Sequence, residues 1–278
     1  MNALPCQIAI VGGGQIAASL VDGLLASGME PNQFRIIEKA ADRINYWKSR
    51  ELIVSSDPLQ VIKDDCKTVI LAVKPQVAKE VMGEIQAALN PDVLLISLVA
   101  GLTLKNLANS LNQERTYLPK LIRVMPNTPM LVGKGSTGIY ADTNANQADR
   151  NLAEKIFESV GEVVWVNEES DLDAITAVSG SGPAYVFKFM LALIEAGQSL
   201  GLSTEKSKRL VLQTVLGAAV MAMKNNRDLD EMINSVTSPG GTTEAANKIL
   251  SERGFSEILK DAVHSAHRRA KSLQEELS

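Results

Sequence analysis

A glycine-rich turn lies near the start of the chain. Gly12-x-Gly14-x-x-Ala17 directly follows the apolar run QIAIV and opens a helical pattern, QIAASLVDGLLASG. Gly12 permits a tight turn, Gly14 permits close approach of a pyrophosphate to the backbone, and Ala17 lets helix and strand pack closely. Gln15 and Ile16 would begin the helix, whose N-terminal N–H groups favour phosphate. The position before further strand–helix units favours dinucleotide binding over a plain structural turn.

A carboxylate stands where the ribose of such a cofactor would be recognised. Glu38 follows the second apolar run in RIIEKAADR. It could accept hydrogen bonds from both ribose hydroxyls and repel a 2′-phosphate, which favours NAD. Lys39 and Arg43 follow and could instead hold that phosphate, and Glu38 could also be a surface acid beside solvated bases. NADH and NADPH both stay open at this point.

A second glycine-rich turn interrupts the helical pattern of the C-terminal half. In SVTSPGGTTEAANKIL, Pro239 is predicted to end one helix, and Gly240 and Gly241 form a turn that bulkier residues would not allow. A threonine is well suited to cap the next helix, with Glu244 in its first turn. Such a helix start offers main-chain N–H groups to a carboxylate. Taken alone, the segment is better explained as a well-capped corner between two helices.

Strand and helix patterns alternate in the first part of the chain. Several apolar runs lack a polar alternation, as expected for strands buried on both faces. Strands are predicted at 7–11, 35–37, 68–73, 93–97, 121–125, 136–140 and 163–166, and helices include 15–27, 76–89 and 146–160. This alternation predicts an α/β domain over residues 1–166, with a parallel, doubly wound sheet covered by helices on both sides.

The strand signal fades after residue 168, and the second domain, 167–278, is predicted to be all-helical. The polar stretch NEESDLD (167–173) is taken as the boundary. The helix predicted at 183–200 is apolar nearly all round, which indicates burial inside a bundle or a dimer.

Composition narrows the possible partners. The 278 residues carry a net charge of −4 with acids and bases mixed, so neither nucleic acid nor an anionic membrane is an expected partner. Cys6 and Cys66 have no metal or redox spacing, and no signal peptide or apolar membrane span is visible, so we expect a cytoplasmic protein. His264 and His267 share a helical face but lack further ligands, and no metal site is predicted.

Five segments that together characterise one protein family follow the glycine-rich turn in this order: AVKPQ (72–76), AGLT (100–103), IRVMPNTP (122–129), SGSGPAYVF (179–187) and SPGGTT (238–243). With these segments the chain, from about residue 7 to 273, resembles the pyrroline-5-carboxylate reductases, which make proline by NAD(P)H-dependent reduction of a cyclic imine. The resemblance implies a Rossmann domain, a helical domain that dimerises by intertwining, and an active site between them. It also implies a homodimer, with larger rings of dimers in some members.

The resemblance also implies cofactor contacts beyond the first turn, where strands of a doubly wound sheet end. These contacts fall on Ala72, Val73, Lys74, Pro75, Ala100 and Asn127. A solvated loop lysine is the alternative for Lys74, and a purely structural turn is the alternative for Asn127.

Matched motif to motif, Thr243 takes the role of the hydroxyl beside the imine nitrogen. A hydroxyl can accept from an iminium N–H and donate to the product amine. Ser238, Gly240, Gly241 and Thr242 would hold the substrate carboxylate. Because a protonated iminium already accepts hydride, the protein need not supply a strong acid.

Two alternatives stay in view. A β-hydroxyacid-type dehydrogenase would need a lysine and an asparagine early in the long interdomain helix, but Lys188 stands two residues too late and no asparagine follows. An inert NAD(P)-binding sensor on the same fold would not need the intact Thr243 loop. The family also often has a His-Pro pair and a Leu-Lys-Asp run before SPGG, which this chain lacks.

Overall fold

The computed structural model describes residues 7–62, 66–111, 119–225 and 227–276, so the prediction for Cys6 lies outside the described residues. The chain forms two compact units. The first comprises Met1–Ser181 together with Ala266–Ser278, and the second comprises Gly182–Ser265. The predicted domain boundary after residue 166 stays a prediction.

The first unit is built on an eight-stranded sheet in the order β3-β2-β1-β4-β5-β6-β7-β8. The strands are β1 (Gln7–Val11), β2 (Phe34–Ile37), β3 (Ile53–Ser55), β4 (Cys66–Leu71), β5 (Leu94–Ser97), β6 (Lys120–Met125), β7 (Gly135–Ala141) and β8 (Gly161–Trp165). Strands β1 to β6 are parallel, whereas β7 runs antiparallel to β6 and β8 runs parallel to β7. The first six strands therefore have the Rossmann order, with the direction of winding reversing between β1 and β4.

Helices cover both faces of this sheet. They are α1 (Gln15–Ala26), α2 (Ala41–Lys48), α3 (Pro58–Val61), α4 (Pro75–Ile85), α5 (Leu104–Asn109), α6 (Gln147–Glu158) and α7 (Asp171–Ile175). Alternate residues of β1 enter different cores: Ile8 and Ile10 pack with α1, and Ala9 and Val11 pack with α4. Burial on both faces explains why the strand sequences show apolar runs without alternation.

The described part of the second unit consists of helices joined by turns and contains no strand, as predicted. It contains α8 (Gly182–Ser199), α9 (Thr204–Lys224), α10 (Leu229–Ser235), α11 (Thr242–Glu252) and the beginning of α12 (Phe255–Glu276). A turn of π-helix, Thr176–Gly180, precedes α8. The helical run Asp171–Ser199 is long and apolar enough to cross a membrane by length and composition alone. Many large apolar side chains of this unit are exposed, among them Phe187, Leu191, Leu210, Leu216, Met223 and Ile258.

Within the first unit, the polar stretch at 167–173 is held against strand β6 by a buried arginine. Arg123 on β6 is only 3% exposed, and its Nη1 donates to Glu169 Oε1 at 3.0 Å. Its Nη2 lies 3.9 Å from Asp173 Oδ1. Asp173 in turn accepts a hydrogen bond from Gln274 near the end of α12. These contacts explain why the first compact unit extends past residue 173 and includes the C-terminal residues.

Candidate functional site

The predicted cofactor residues of the first unit converge on one edge of the sheet. Each group follows the carboxyl end of a parallel strand: the glycine-rich turn follows β1, Glu38 follows β2, residues 72–75 follow β4, Ala100 follows β5 and Asn127 follows β6. Carboxyl ends of parallel strands share an edge, and ligands bind doubly wound sheets there. The structure therefore brings these residues to the edge where the sequence placed them.

Gly12 is required by the packing of this edge. Its N–H donates to Ile37 O at 2.9 Å, and the neighbouring N–H of Ala72 donates to Val11 O at 2.8 Å. Gly12 has a φ of +97°, and a Cβ there would lie 2.7 Å from Ala72 O. The glycine thus lets the turns after β1 and β4 approach closely at the point where the winding reverses.

Gly14 is not required by internal packing, because a Cβ added there would meet no described atom within 4 Å. It is the N-cap of α1, no side chain caps that helix end, and the first turn carries no acidic residue. Gln15 and Ile16, which follow, are exposed. An uncapped helix start beside an open glycine fits the diphosphate of a dinucleotide.

Gly13 is held on both sides by side chains. Its N–H donates to Glu38 Oε2 at 2.9 Å, and its carbonyl accepts from Trp47 Nε1 at 3.0 Å. Trp47 is the buried residue of α2, and a Cβ at Gly13 would lie 2.4 Å from its Nε1. Sequence reasoning missed Trp47; a lone tryptophan in the polar segment ADRINYWK was the available signal.

The carboxylate of Glu38 is bound to the main chain. Besides Gly13, it accepts from the N–H groups of Lys39 at 2.7 Å and Ala40 at 2.9 Å. Glu38 therefore fixes the turn after β2 against the glycine-rich turn. Its predicted contact with a ribose stays a prediction.

A cavity of about 270 Å³ opens beside Glu38. Its apolar lining includes Val11, Ile37, Val73, Val77, Val81 and Ile85, and its charged lining consists of Glu38, Lys39, Glu80 and Glu84. Lys39 Nζ donates to Glu84 Oε1 at 2.6 Å. This hydrogen bond raises the pKa of Lys39, and the negative charges of Glu84 and Glu80 act in the same direction, against a weaker desolvation. Arg43 is not among the residues that line the cavity.

The remaining cofactor candidates differ in their surroundings. Lys74 is the exposed N-cap residue of α4, and Pro75 is its first residue. Ala100 is half-buried after β5. The Asn127 side chain donates to Ser179 O at 3.0 Å and accepts from Ser136 N at 2.8 Å. Asn127 thus braces the turn after β6, and its amide retains one further N–H for a ligand.

The second predicted cradle forms a tight turn in the second unit. Gly240 has a φ of +73°, and Gly241 N donates to Ser238 O at 2.9 Å. A Cβ on Gly241 would lie 2.9 Å from that same oxygen. Ser238, Gly240, Gly241, Thr242 and Thr243 therefore lie within one turn, as the motif requires.

Two local predictions for this turn are wrong. The helix before it ends at Ser235 and not at Pro239, because a C-terminal turn at Val236 and Thr237 completes it. The next helix is capped by Gly241 and not by a threonine. The close approach of Gly241 to Ser238 O begins the helix one residue early, which places Thr242 and Thr243 inside its first turn.

This placement leaves the Thr243 hydroxyl outside the capping role. Thr243 is half-buried, and no hydrogen-bond partner of its hydroxyl is found among the described residues. Glu244, in the first turn as predicted, accepts from Gly240 N with its Oε2 at 2.7 Å. An internal carboxylate thus occupies one N–H of the predicted carboxylate cradle, which the sequence did not reveal.

A Rossmann-type sheet whose glycine-rich turn opens an uncapped helix defines a dinucleotide-binding protein, and family comparisons make it an oxidoreductase. Residues 7–101 match the family described as NADP oxidoreductase, coenzyme F420-dependent. Residues 169–273 match the family described as pyrroline-5-carboxylate reductase dimerisation.

The chain belongs to the pyrroline-5-carboxylate reductase family. It is 39% identical to such a reductase from Pseudomonas aeruginosa, over 98% of both chains. The Arabidopsis thaliana reductase is 35% identical over 97% of this chain and 96% of its own. A solved Coxiella burnetii reductase superposes with a TM-score of 0.90 and 38% identity, covering 98% of this chain and 99% of that one. A Plasmodium falciparum reductase solved with NADP bound gives a TM-score of 0.84 and 31% identity, with coverages of 98% and 100%.

Proposed function

We propose that this chain reduces 1-pyrroline-5-carboxylate to L-proline with NADH or NADPH, the last step of proline biosynthesis. The observation that carries the proposal is that a member of this family has two turns whose main-chain N–H groups can bind anions. One cradle is the uncapped start of α1 at Gly14, and the other is the turn at residues 238–243. They suit a diphosphate and a carboxylate respectively.

The first cradle is proposed to hold the cofactor. N–H groups at Gly14, Gln15 and Ile16 face the diphosphate, and residues 72–75, Ala100 and Asn127 contact the rest of the molecule. When bound, the reduced nicotinamide supplies the hydride. The chain's own task is to fix the orientation of the two reactants, which can contribute several kcal/mol, up to about 7–11 in ideal cases.

The second cradle is proposed to hold the substrate. The N–H groups of Thr242 and Thr243, with Ser238 beside them, bind the ring carboxylate, and the N–H of Gly241 takes part once it leaves Ser238 O. Gly240 joins them when Glu244 releases its N–H. The Thr243 hydroxyl accepts from the iminium N–H and, after reduction, donates to the product amine. The absence of a competing hydrogen bond to this hydroxyl among the described residues supports that role.

The assembly is proposed to be a homodimer formed through the second unit, with larger rings of dimers as a further state. The matched dimerisation family and the exposed apolar side chains of α8 and α9 support it. A partner helix would cover the apolar run at 171–199 as well as a membrane would. A cytoplasmic location is proposed on the cysteine usage described above.

Turnover measured by nicotinamide absorbance tests the reaction. The purified protein should oxidise NADH or NADPH only when 1-pyrroline-5-carboxylate is present, and chromatography should detect proline in equal amount.

Thr243→Ala should lower kcat by at least about 10-fold while the cofactor Kd changes little, because only the hydrogen bond at nitrogen is lost. Thr242→Ala is the matched control, because alanine keeps the main-chain N–H that Thr242 contributes, and its kcat should change little. Tight cofactor binding without oxidation would instead support an inert sensor.

A further inference from the structure

Three carboxylates and one lysine surround the cavity at the end of β2. Glu38 follows that strand, whereas Glu80 and Glu84 project from α4 on the opposite side. Lys39 is the one cation among the residues that line the cavity, and its Nζ is bound to Glu84. The cavity therefore carries an excess of negative charge.

The position of this cavity identifies what it would accept. It lies beside Gly12 and at the carboxyl end of β2, where a doubly wound sheet receives the adenosine half of a dinucleotide. Its apolar lining suits a purine ring, and its volume of about 270 Å³ is adequate for a purine and part of a ribose. This identification rests on the proposed function, which places the diphosphate at the adjoining turn.

The charges of this cavity oppose a 2′-phosphate. A phosphate group there would need a cation, and Glu84 already holds Lys39. The ammonium of Lys39 donates a hydrogen bond of 2.6 Å to Glu84, so a phosphate would have to share this one cation with the carboxylates of Glu84 and Glu80. Like charges placed against one ligand are a common means of discriminating against it.

We propose that Glu84 determines cofactor specificity by sequestering Lys39, that Glu80 reinforces it, and that the chain therefore prefers NADH over NADPH. The effect of Glu38 on specificity is harder to separate from its structural role, because its carboxylate accepts from three main-chain N–H groups and supports the glycine-rich turn itself. Among the described residues, the hydrogen-bond partner of Glu84 is Lys39, so Glu84 can be changed without untying that turn.

Direct binding tests this proposal without turnover. Kd values of NADH and NADPH are measured by nicotinamide fluorescence, in the absence of substrate, for the wild type and Glu84→Gln. The wild type should bind NADH at least about 10-fold more tightly. Glu84→Gln should improve NADPH binding by roughly 10-fold and change NADH binding by less than about 3-fold, since one negative charge is removed and one lysine is released. Glu158→Gln, on exposed α6 surface, removes the same charge elsewhere and should change neither Kd.

A second substitution separates charge removal from lysine release. In the Glu84→Gln background, Lys39→Met should abolish most of the gain in NADPH affinity. A wild type that prefers NADPH, or a Glu84→Gln protein whose NADH/NADPH ratio stays within about 2-fold of the wild type, would overturn the proposal. If the cofactors bind as expected but neither is oxidised with 1-pyrroline-5-carboxylate, the proposed reaction fails while the inference about Glu84 stands.

Discussion

At the scale of single residues, Trp47 and Glu38 hold the two main-chain groups of Gly13. Trp47→Phe would keep most of the buried volume and remove the indole N–H, leaving the Gly13 carbonyl without its donor. We expect an unpaired buried carbonyl to lower the free energy of unfolding by about 1–3 kcal/mol. We also expect the Kd of NADH and the Kd of NADPH to rise equally, each by roughly 3- to 10-fold, because the turn is less well ordered before binding.

Trp165→Phe is the control for this prediction. Trp165 Nε1 donates to Glu154 Oε1 at 3.2 Å, away from the glycine-rich turn. Its replacement should leave both Kd values unchanged in the same fluorescence titration. Equal cofactor affinities in the wild type and Trp47→Phe would show that the indole does not order the turn.

Glu244 occupies an N–H that the substrate carboxylate is proposed to use. Glu244→Gln removes the competing negative charge while keeping a side-chain oxygen near Gly240. Because the substrate carboxylate is negative, KM for 1-pyrroline-5-carboxylate should fall by roughly 2- to 5-fold, and kcat should change little. Glu257→Gln, in the first turn of α12, is a control that should leave KM unchanged. A raised KM in Glu244→Gln would mean that the carboxylate supports the turn and does not compete with substrate.

At the scale of elements, the buried Arg123 on β6 joins the stretch 167–173 to the sheet of the first unit. Arg123→Met would leave Glu169 and the buried Asp173 without their cation. Removing one partner of a buried ion pair should lower the free energy of unfolding by about 3–5 kcal/mol, measured in urea at one protein concentration. Lys248→Gln breaks the exposed pair with Glu252 and should cost less than about 0.5 kcal/mol. Similar losses for the two variants would contradict a stabilising role for Arg123.

Most strands and long helices, but not all elements, could be predicted from the sequence. Seven strands and the long helices were predictable because the strands have short runs of β-branched or apolar residues and the helices have apolar residues at helical spacing. Strand β3 was missed because it has three residues at the edge of the sheet, none of them buried. Helix α2 was missed because ADRINYWK buries one side chain, Trp47.

In the candidate site, the sequence motifs were predictable from the sequence, whereas the side-chain contacts were not. The glycine-rich turns were predictable, since each contains a residue of positive φ, Gly12 or Gly240, in a conformation that few residue types other than glycine tolerate. The partners of Glu38, Asn127 and Glu244 were not, because a side chain's hydrogen bonds depend on elements far away in the chain. The threonine cap failed for a local reason: the helix already starts at Thr242, with Gly241 in the N-cap position, so both threonines lie inside the helix.

At the scale of the whole molecule, the exposed apolar faces of the second unit call for a partner. Leu210 and Leu216 on α9 are each 58% exposed. A double substitution, Leu210→Glu with Leu216→Glu, would place charges in the proposed interface and should shift the mass measured by light scattering from dimer or larger to monomer. Leu59→Glu, on the exposed surface of the first unit at 64% exposure, should leave the mass unchanged. A monomeric wild type, or a double variant of unchanged mass, would contradict the proposed assembly.

The central claim is that main-chain N–H groups at residues 240–243 hold the carboxylate of a cyclic substrate beside Thr243. A crystal structure with bound L-proline tests it most directly. The proline carboxylate is predicted within hydrogen-bond distance of those N–H groups, with its ring nitrogen next to the Thr243 hydroxyl. Proline bound elsewhere, with residues 238–243 making no contact to it, would contradict the claim.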